Sequence, residues 1–173
     1  MTVTSEPTVL SDIFTIGYGQ SLELNALEQC DDGVNFVSRS ASNNGVTARV
    51  RVPKGVSPSP AGCLTVALGG SVLSTFHQPE PFVCGRDVAV LTPKDTGMSL
   101  VERLWWSRVI WANRWKYSYG RQANRTLAEI TVPAEVPDWV KDKKVYALGF
   151  ELDLSATTSE SLTIWQHFGE PEV

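Results

Sequence analysis

Hydrophobic and polar positions alternate strictly over residues 46–52. Val46, Ala48, Val50 and Val52 fall on one face, and Thr47, Arg49 and Arg51 on the other. A period of two is that of a half-buried strand, here with a cationic outer face. The Pro- and Gly-rich stretch 54–62 predicts a loop, and CLTVALGGSVLSTF predicts two strands joined at Gly69 and Gly70. DVAVLTP predicts another strand.

From Ser99 onward the period lengthens. Ser99 and Glu102 stand in capping-box spacing, so a helix is expected to start there. Leu100, Leu104, Trp111 and Trp115, joined by Val101, Trp105 and Ile110, recur every three or four residues and predict one apolar side. Arg103, Arg108, Asn113 and Arg114 fall largely elsewhere on the wheel. Most of the tryptophans of that stripe are assigned to the core, packed against the sheet.

After Pro133 the pattern returns to alternation. Tyr146, Leu148, Phe150, Leu152 and Leu154 predict one strand, and Leu162, Ile164 and Phe168 its partner across the polar turn SATTSES. These elements together predict an α+β fold: a twisted, mostly antiparallel sheet with one principal helix, in a single domain. Residues 1–9 are expected to form an N-terminal extension and 10–133 the main domain. Residues 134–173 are expected to be a C-terminal strand or hairpin extension packed on the same domain.

Charge changes this picture more than composition does. The chain has 173 residues and a net charge of −4, with 42% hydrophobic and 20% charged residues, as expected for a globular domain able to bury a core unaided. Residues 103–128 hold six of the fifteen basic residues and no acid, so this segment carries +6 and the remainder −10. Four Trp and two Tyr are interleaved with those charges. An Arg- and aromatic-rich surface suits phosphates and base edges, which points to nucleic acid.

The richest part of that segment is KYSYGRQAN with the Arg that follows. Lys116, Tyr117, Tyr119, Arg121, Gln122, Asn124 and Arg125 surround Gly120, which permits a sharp turn. Such side chains stack, grip phosphate and make bidentate contacts, Arg to guanine and Asn or Gln to adenine. Composition alone leaves the loop equally readable as a solvated polar turn.

Several stretches, in order, resemble a target recognition domain of the DNA specificity (S) subunits of type I restriction-modification systems and their type IIB relatives. They are LSDIFTIGYGQSL, VNFVSRSASNNGV, the Gly69-Gly70 strand pair, FVCGRDVAVLTP, and the helix followed by YSYGRQANRTLAEITVP. They span residues 10–133, and Tyr119-Gly120-Arg121 followed by ITVP is the strongest single piece.

This resemblance implies a non-catalytic reader of one half of a bipartite DNA site, serving a separate adenine methyltransferase or restriction assembly. By position it implies that Asn43 and Asn44, in the turn with Gly45, and Lys116, Tyr117, Tyr119, Arg121, Gln122, Asn124 and Arg125 lie at or near double-stranded DNA. Arg49, Arg51 and Lys54 would be phosphate contacts, whereas Gly45 and Gly120 shape the backbone. No heptad repeat of coiled-coil length follows Pro133 in residues 134–173, so no counterpart of the long spacer helices of such subunits is expected there. A protein partner or larger assembly would then supply the geometry, and the oligomeric state stays open. The alternative is a stand-alone, specificity-subunit-like protein reused for protein binding or structure, as a phage component, an anti-restriction decoy or part of a larger complex. The terminal hairpin is then the candidate partner surface.

Enzyme readings find little support. The chain lacks a DPPY or NPPY tetrapeptide, an FxGxG loop, a GxSxG elbow, a P-loop and a dinucleotide fingerprint. Pro137-Asp138 with Glu151-Leu152-Asp153 faintly matches a PD-(D/E)xK nuclease pattern, but Asp153 stands where a lysine belongs. Solvated acids are the better reading. Cys30, Cys63 and Cys84 form no CxxC pair and are expected to be packed thiols, while His77 and His167 lie in no HExxH spacing. No metal or cofactor is expected. The first residues lack the charged and apolar blocks of a signal peptide, and no apolar run reaches membrane-spanning length. A cytoplasmic location is expected.

Overall fold

The computed structural model describes residues 6–117, 122–143, 146–147 and 150–151. In chain order the elements are β1 (Pro7–Val9), α1 (Leu10–Ile13), β2 (Phe14–Tyr18), β3 (Gln29–Val37), β4 (Val46–Val50), β5 (Leu64–Ala67) and β6 (Thr75–His77). They continue with β7 (Phe82–Cys84), β8 (Val88–Pro93), α2 (Leu100–Ala112), β9 (Thr131–Pro133), α3 (Asp138–Lys141), β10 (Tyr146–Ala147) and β11 (Phe150–Glu151). The architecture is α+β, mostly antiparallel, with one principal helix, as the residue pattern predicts.

The strands are divided between two main sheets rather than gathered in one. A four-stranded antiparallel sheet has the order β2-β8-β5-β6, and a three-stranded sheet has the order β4-β3-β7. Within the second, β3 and β7 run parallel, pairing Asn35, Phe36 and Val37 with Phe82, Val83 and Cys84. Local periodicity carries no information about that pairing, because its partners are remote in sequence.

β8 shows why the two sheets belong together. Its residues Val88 to Leu91 are all buried, and alternation sends them to opposite sides. Ala89 and Leu91 join the large core with α2, whereas Val88 and Val90 join Val37, Phe82, Cys63 and Cys84 beneath the second sheet. Burial pushes the Cys84 thiol up to about 12, with the neighbouring Cys63 adding to the effect. Both are inert packed thiols, and Cys30 is half-buried and free.

The helix starts where predicted. Ser99 Oγ accepts from the Glu102 amide at 3.3 Å, and Glu102 Oε2 accepts from the Ser99 amide at 2.7 Å. Its buried face differs from the expected one. Trp106, Ser107 and Ile110 are the buried residues, and Trp106 meets Phe14 edge-on at 5.8 Å between centroids. Trp111 is half-buried and Trp115 is 72% exposed, so the assignment of these two to the core is corrected. For Trp115 the physical reason is that the α-helix stops at Ala112 and a tighter 3-10 turn, Asn113–Tyr117, carries it off the apolar stripe; Trp111, still within α2, is covered by the Arg108 and Arg114 guanidiniums instead of by the sheet.

At the C-terminal side, Tyr146–Ala147 pairs antiparallel with Phe150–Glu151, in place of the one continuous strand expected there. The expected partner strand at Leu162, Ile164 and Phe168, together with Leu152, Asp153, Leu154 and His167, lies outside the described residues.

Candidate functional site

Two structures lead from α2 toward solvent. The first is a ridge of cations. Arg108, Arg114, Lys116 and Arg125 are exposed, and Arg103 is half-buried. Among the described residues none of these five has an ion-pair partner, whereas Arg39, Arg49, Arg51, Arg86 and Lys141 are paired with Asp87, Glu80, Glu28, Glu23 and Asp138. Three of the five are held by aromatic rings instead: the Arg114 and Arg108 guanidinium carbons stand 3.5 and 4.1 Å from the Trp111 ring centroid, and Lys116 Nζ 5.6 Å from that of Trp115. Cations held by rings keep their hydrogen-bond donors free.

The second is an open cleft of about 620 Å³ between the 69–72 turn and this ridge, walled by Trp111, Arg114, Trp115, Tyr117 and Gln122. Gly69 and Gly70 contribute a floor without side chains, and Ala41 of the β3–β4 connection is also part of the lining. Arg39 Nη1 and Gln122 Nε2 both come within 3.4 Å of the point a Cβ on Gly69 would occupy, so the two side chains flank that glycine.

The segment after the 3-10 turn is tied down by named bonds. The Ala123 amide donates to the Leu68 carbonyl at 2.9 Å, and the Leu68 amide to the Asp87 carbonyl at 2.8 Å. Asn124 Nδ2 donates to Asp87 Oδ1, Arg39 Nη1 to Asp87 Oδ2, and Tyr18 OH to the Asn124 carbonyl. Tyr117 OH shares a hydrogen bond with Thr126 Oγ1 at 2.8 Å. Asp87 sits at φ 56, in a conformation that Asp tolerates.

The residues singled out by sequence fall into three groups. Tyr117 and Gln122 line the cleft and Lys116 lies on Trp115 beside it, Asn124 is tied to Asp87, and Arg125 is exposed in the segment that follows. Tyr119 and Arg121 lie outside the described residues. The remaining five are engaged elsewhere or stand apart.

Asn43 and Asn44 adopt φ of 51 and 56 and lead into Gly45 at φ 76, a left-handed run these residue types permit. Asn43 Nδ2 donates to the Val46 carbonyl, closing the turn. Asn44 faces inward: Nδ2 donates to the His77 carbonyl at 2.9 Å, and the fully buried Gln78 returns Nε2 to the Asn44 carbonyl at 3.0 Å. Arg49 clamps the bulge in β3, donating Nε and Nη2 to the Gly33 carbonyl at 3.0 and 2.7 Å. Arg51 pairs with Glu28 at 3.2 Å beyond the far end of β4, and Lys54 is exposed in the loop that follows.

Sequence reasoning missed Arg39, Asp87, Arg108, Arg114, Trp111 and Trp115 as site residues. The acid-free run contains the signal for the two arginines, whereas the apolar stripe assigns most of its tryptophans to the core. Nothing local marks Arg39 or Asp87, which meet across 48 residues of chain.

Among the described residues no helix is long and apolar enough to cross a membrane, and no three His, Cys, Asp or Glu side chains gather as a metal site would need.

No family model and no curated protein matches this sequence. Solved structures do. The fold is similar to that of the type I restriction-modification system S subunit from M. genitalium, with 15% identity, a TM-score of 0.55, and coverage of 73% of this chain and 33% of that one. It is similar to the HsdS subunit from Thermoanaerobacter tengcongensis at 19% identity and TM-score 0.59, over 77% of this chain and 34% of that one. A chain from a structure concerned with complex assembly and conformational transition of the type I R-M system matches at 17% identity and TM-score 0.56, over 77% and 35%. This chain therefore spans about a third of the length of the chains it matches. The resemblance expected from sequence is borne out as a likeness of fold, that of the target recognition domain of type I S subunits.

Proposed function

We propose that this chain is a non-catalytic module that binds duplex DNA along the α2 ridge and reads a half-site for a separate methyltransferase or restriction assembly. One observation carries the reading: the described cations of residues 103–125 are without acidic partners, while most others are neutralised within the chain. A body of net negative charge that nevertheless leaves one positive ridge uncompensated is built to meet a polyanion in one orientation. Phosphate contacts from Arg108, Arg114, Lys116 and Arg125 set register, and Gln122 with Arg39 stands where base edges would be read. The fold, similar to that of type I S subunits, supports the same reading.

The test is titration of labelled duplex at several salt concentrations, followed by selection from a randomised duplex pool. Affinity should fall steeply with salt through counterion release, and the pool should enrich one motif. No duplex binding at moderate salt overturns the reading in favour of a protein-binding role. Binding without enrichment removes the half-site and leaves only adhesion. Recovery of the tagged chain from its host, with and without nuclease, distinguishes a DNA-bridged partner from a directly bound one.

A further inference from the structure

The cleft beside the ridge has a lining that phosphate gripping alone does not use. Its volume of about 620 Å³ falls within the rough 300–1,000 Å³ span of small-molecule sites. Three of its walls are rings, and one of them, Trp115, is 72% exposed. Leaving an indole in water is tolerated but is not favoured by folding, so it points to an occupant with a flat apolar face. Arg114 lies on Trp111 at 3.5 Å with no carboxylate partner among the described residues, which gives the same cleft an anion contact. Gln122 adds an amide with paired donor and acceptor, and the Gly69-Gly70 floor carries no side chain to block approach.

A flat ring, an anion and a hydrogen-bonding edge within one small volume are the parts of a nucleotide. A base inside a duplex has both faces covered by its neighbours, so it presents edges only, and cannot stack on Trp115 or Tyr117. We infer that the cleft takes one unpaired nucleotide, its ring against the Trp115 and Tyr117 walls and its phosphate on Arg114. The inference rests on the DNA-binding reading only for its source: a nucleotide displaced from a duplex next to the ridge, or a free mononucleotide.

The test compares labelled duplexes, matched or carrying one central mispair, by fluorescence anisotropy, and competes each with a mixture of dAMP, dGMP, dCMP and TMP. A mispair lowers the cost of displacing a base, so the mispaired duplex should bind at least fivefold tighter than the matched one. Arg114→Ala, Trp115→Ala and the cleft-filling Ser71→Phe should abolish that preference, whereas Arg125→Ala should weaken both duplexes alike. Trp115 and Arg114 are exposed, and a thermal melt of each variant checks that the fold is kept. Saturable mononucleotide binding lost in the same three variants identifies the free nucleotide as occupant. Equal affinity for both duplexes with no mononucleotide binding overturns the inference and leaves the DNA reading standing. Mononucleotide binding with no duplex binding does the reverse, and no binding of any probe removes both.

Discussion

Asn124 donates from Nδ2 to Oδ1 of Asp87 at 3.3 Å, joining the segment after the ridge to the turn between β7 and β8. The other oxygen of the same carboxylate accepts from Arg39 Nη1 at 3.0 Å. One acid thus holds two side chains of the proposed reading surface in fixed relation, and on that proposal its negative charge would stand close to the DNA. Replacing it with Asn keeps the left-handed backbone and one acceptor while removing the charge. Asp87→Asn should therefore cost only on the order of 1 kcal/mol in stability, as part-exposed pairs do. Affinity for random duplex should rise, because an anion is lost, and discrimination in favour of the selected motif should fall. Unchanged discrimination shows that Arg39 and Asn124 do not read bases through this arrangement.

Trp106 and Trp115 make opposite predictions about stability. Trp106 is 1% exposed and packed on Phe14 and Trp105, so Trp106→Ala should destabilise by about 3–5 kcal/mol. Trp115 is mostly in solvent, and Trp115→Ala should stay within about 0.5 kcal/mol of the parent. Denaturant midpoints of the two variants check this directly. A large loss for Trp115→Ala would return that ring to the core and empty the cleft of its main wall.

That pair also marks the limit of what the sequence discloses. The start of α2 is legible because Ser99 and Glu102 act through neighbouring backbone, and β4, β5 and β8 are legible because alternation or continuous burial is written residue by residue. The buried face of α2 is not legible. Leu104, Trp105, Trp106, Ile110 and Trp111 surround most of the wheel, so no single stripe stands out, and the 3-10 turn that swings Trp115 outward has no local signature. The cationic ridge could be read from the missing acids in residues 103–128. Neutralisation of the other arginines could not: Arg49 meets Gly33 and Glu80, and Arg39 meets Asp87, only once remote strands have paired.

His77 introduces a dependence on pH. Burial lowers its pKa to about 4 from the ordinary 6.5, with the Arg103 charge acting in the same direction. Both His77 Nε2 and Arg103 Nε are buried without a hydrogen-bond partner. The folded state therefore favours neutral imidazole, while the unfolded chain takes up its proton near pH 6.5. Below that value the unfolded state binds more protons, so stability contributed by His77 is present above about 6.5 and declines as pH falls toward about 4. His77→Gln should flatten the stability profile over that window when urea midpoints are followed. A profile with the same slope in the variant assigns the effect to other groups.

The salt dependence of duplex binding separates the cations by their surroundings. Among the described residues Arg108, Arg114, Lys116 and Arg125 have no acid to leave, so each that contacts a phosphate adds a released counterion and close to one unit of the slope of log affinity against log salt. Arg51 is different: it already pairs with Glu28 at 3.2 Å, both side chains being more than half exposed, and it stands beyond the end of β4 remote from the cleft. Alanine at Arg108, Lys116 or Arg125 should each lower the slope by about 1 and weaken all sequences similarly, whereas Arg114→Ala should in addition remove the preference for a mispaired duplex. Arg51→Ala should leave the slope unchanged, because removing it frees Glu28 instead of abolishing a phosphate contact. Lys54 follows in the next loop, exposed and without an ion-pair partner among the described residues, so it decides how far the footprint extends. A drop of one unit in Lys54→Ala carries the duplex across β4, and no drop confines it to the ridge.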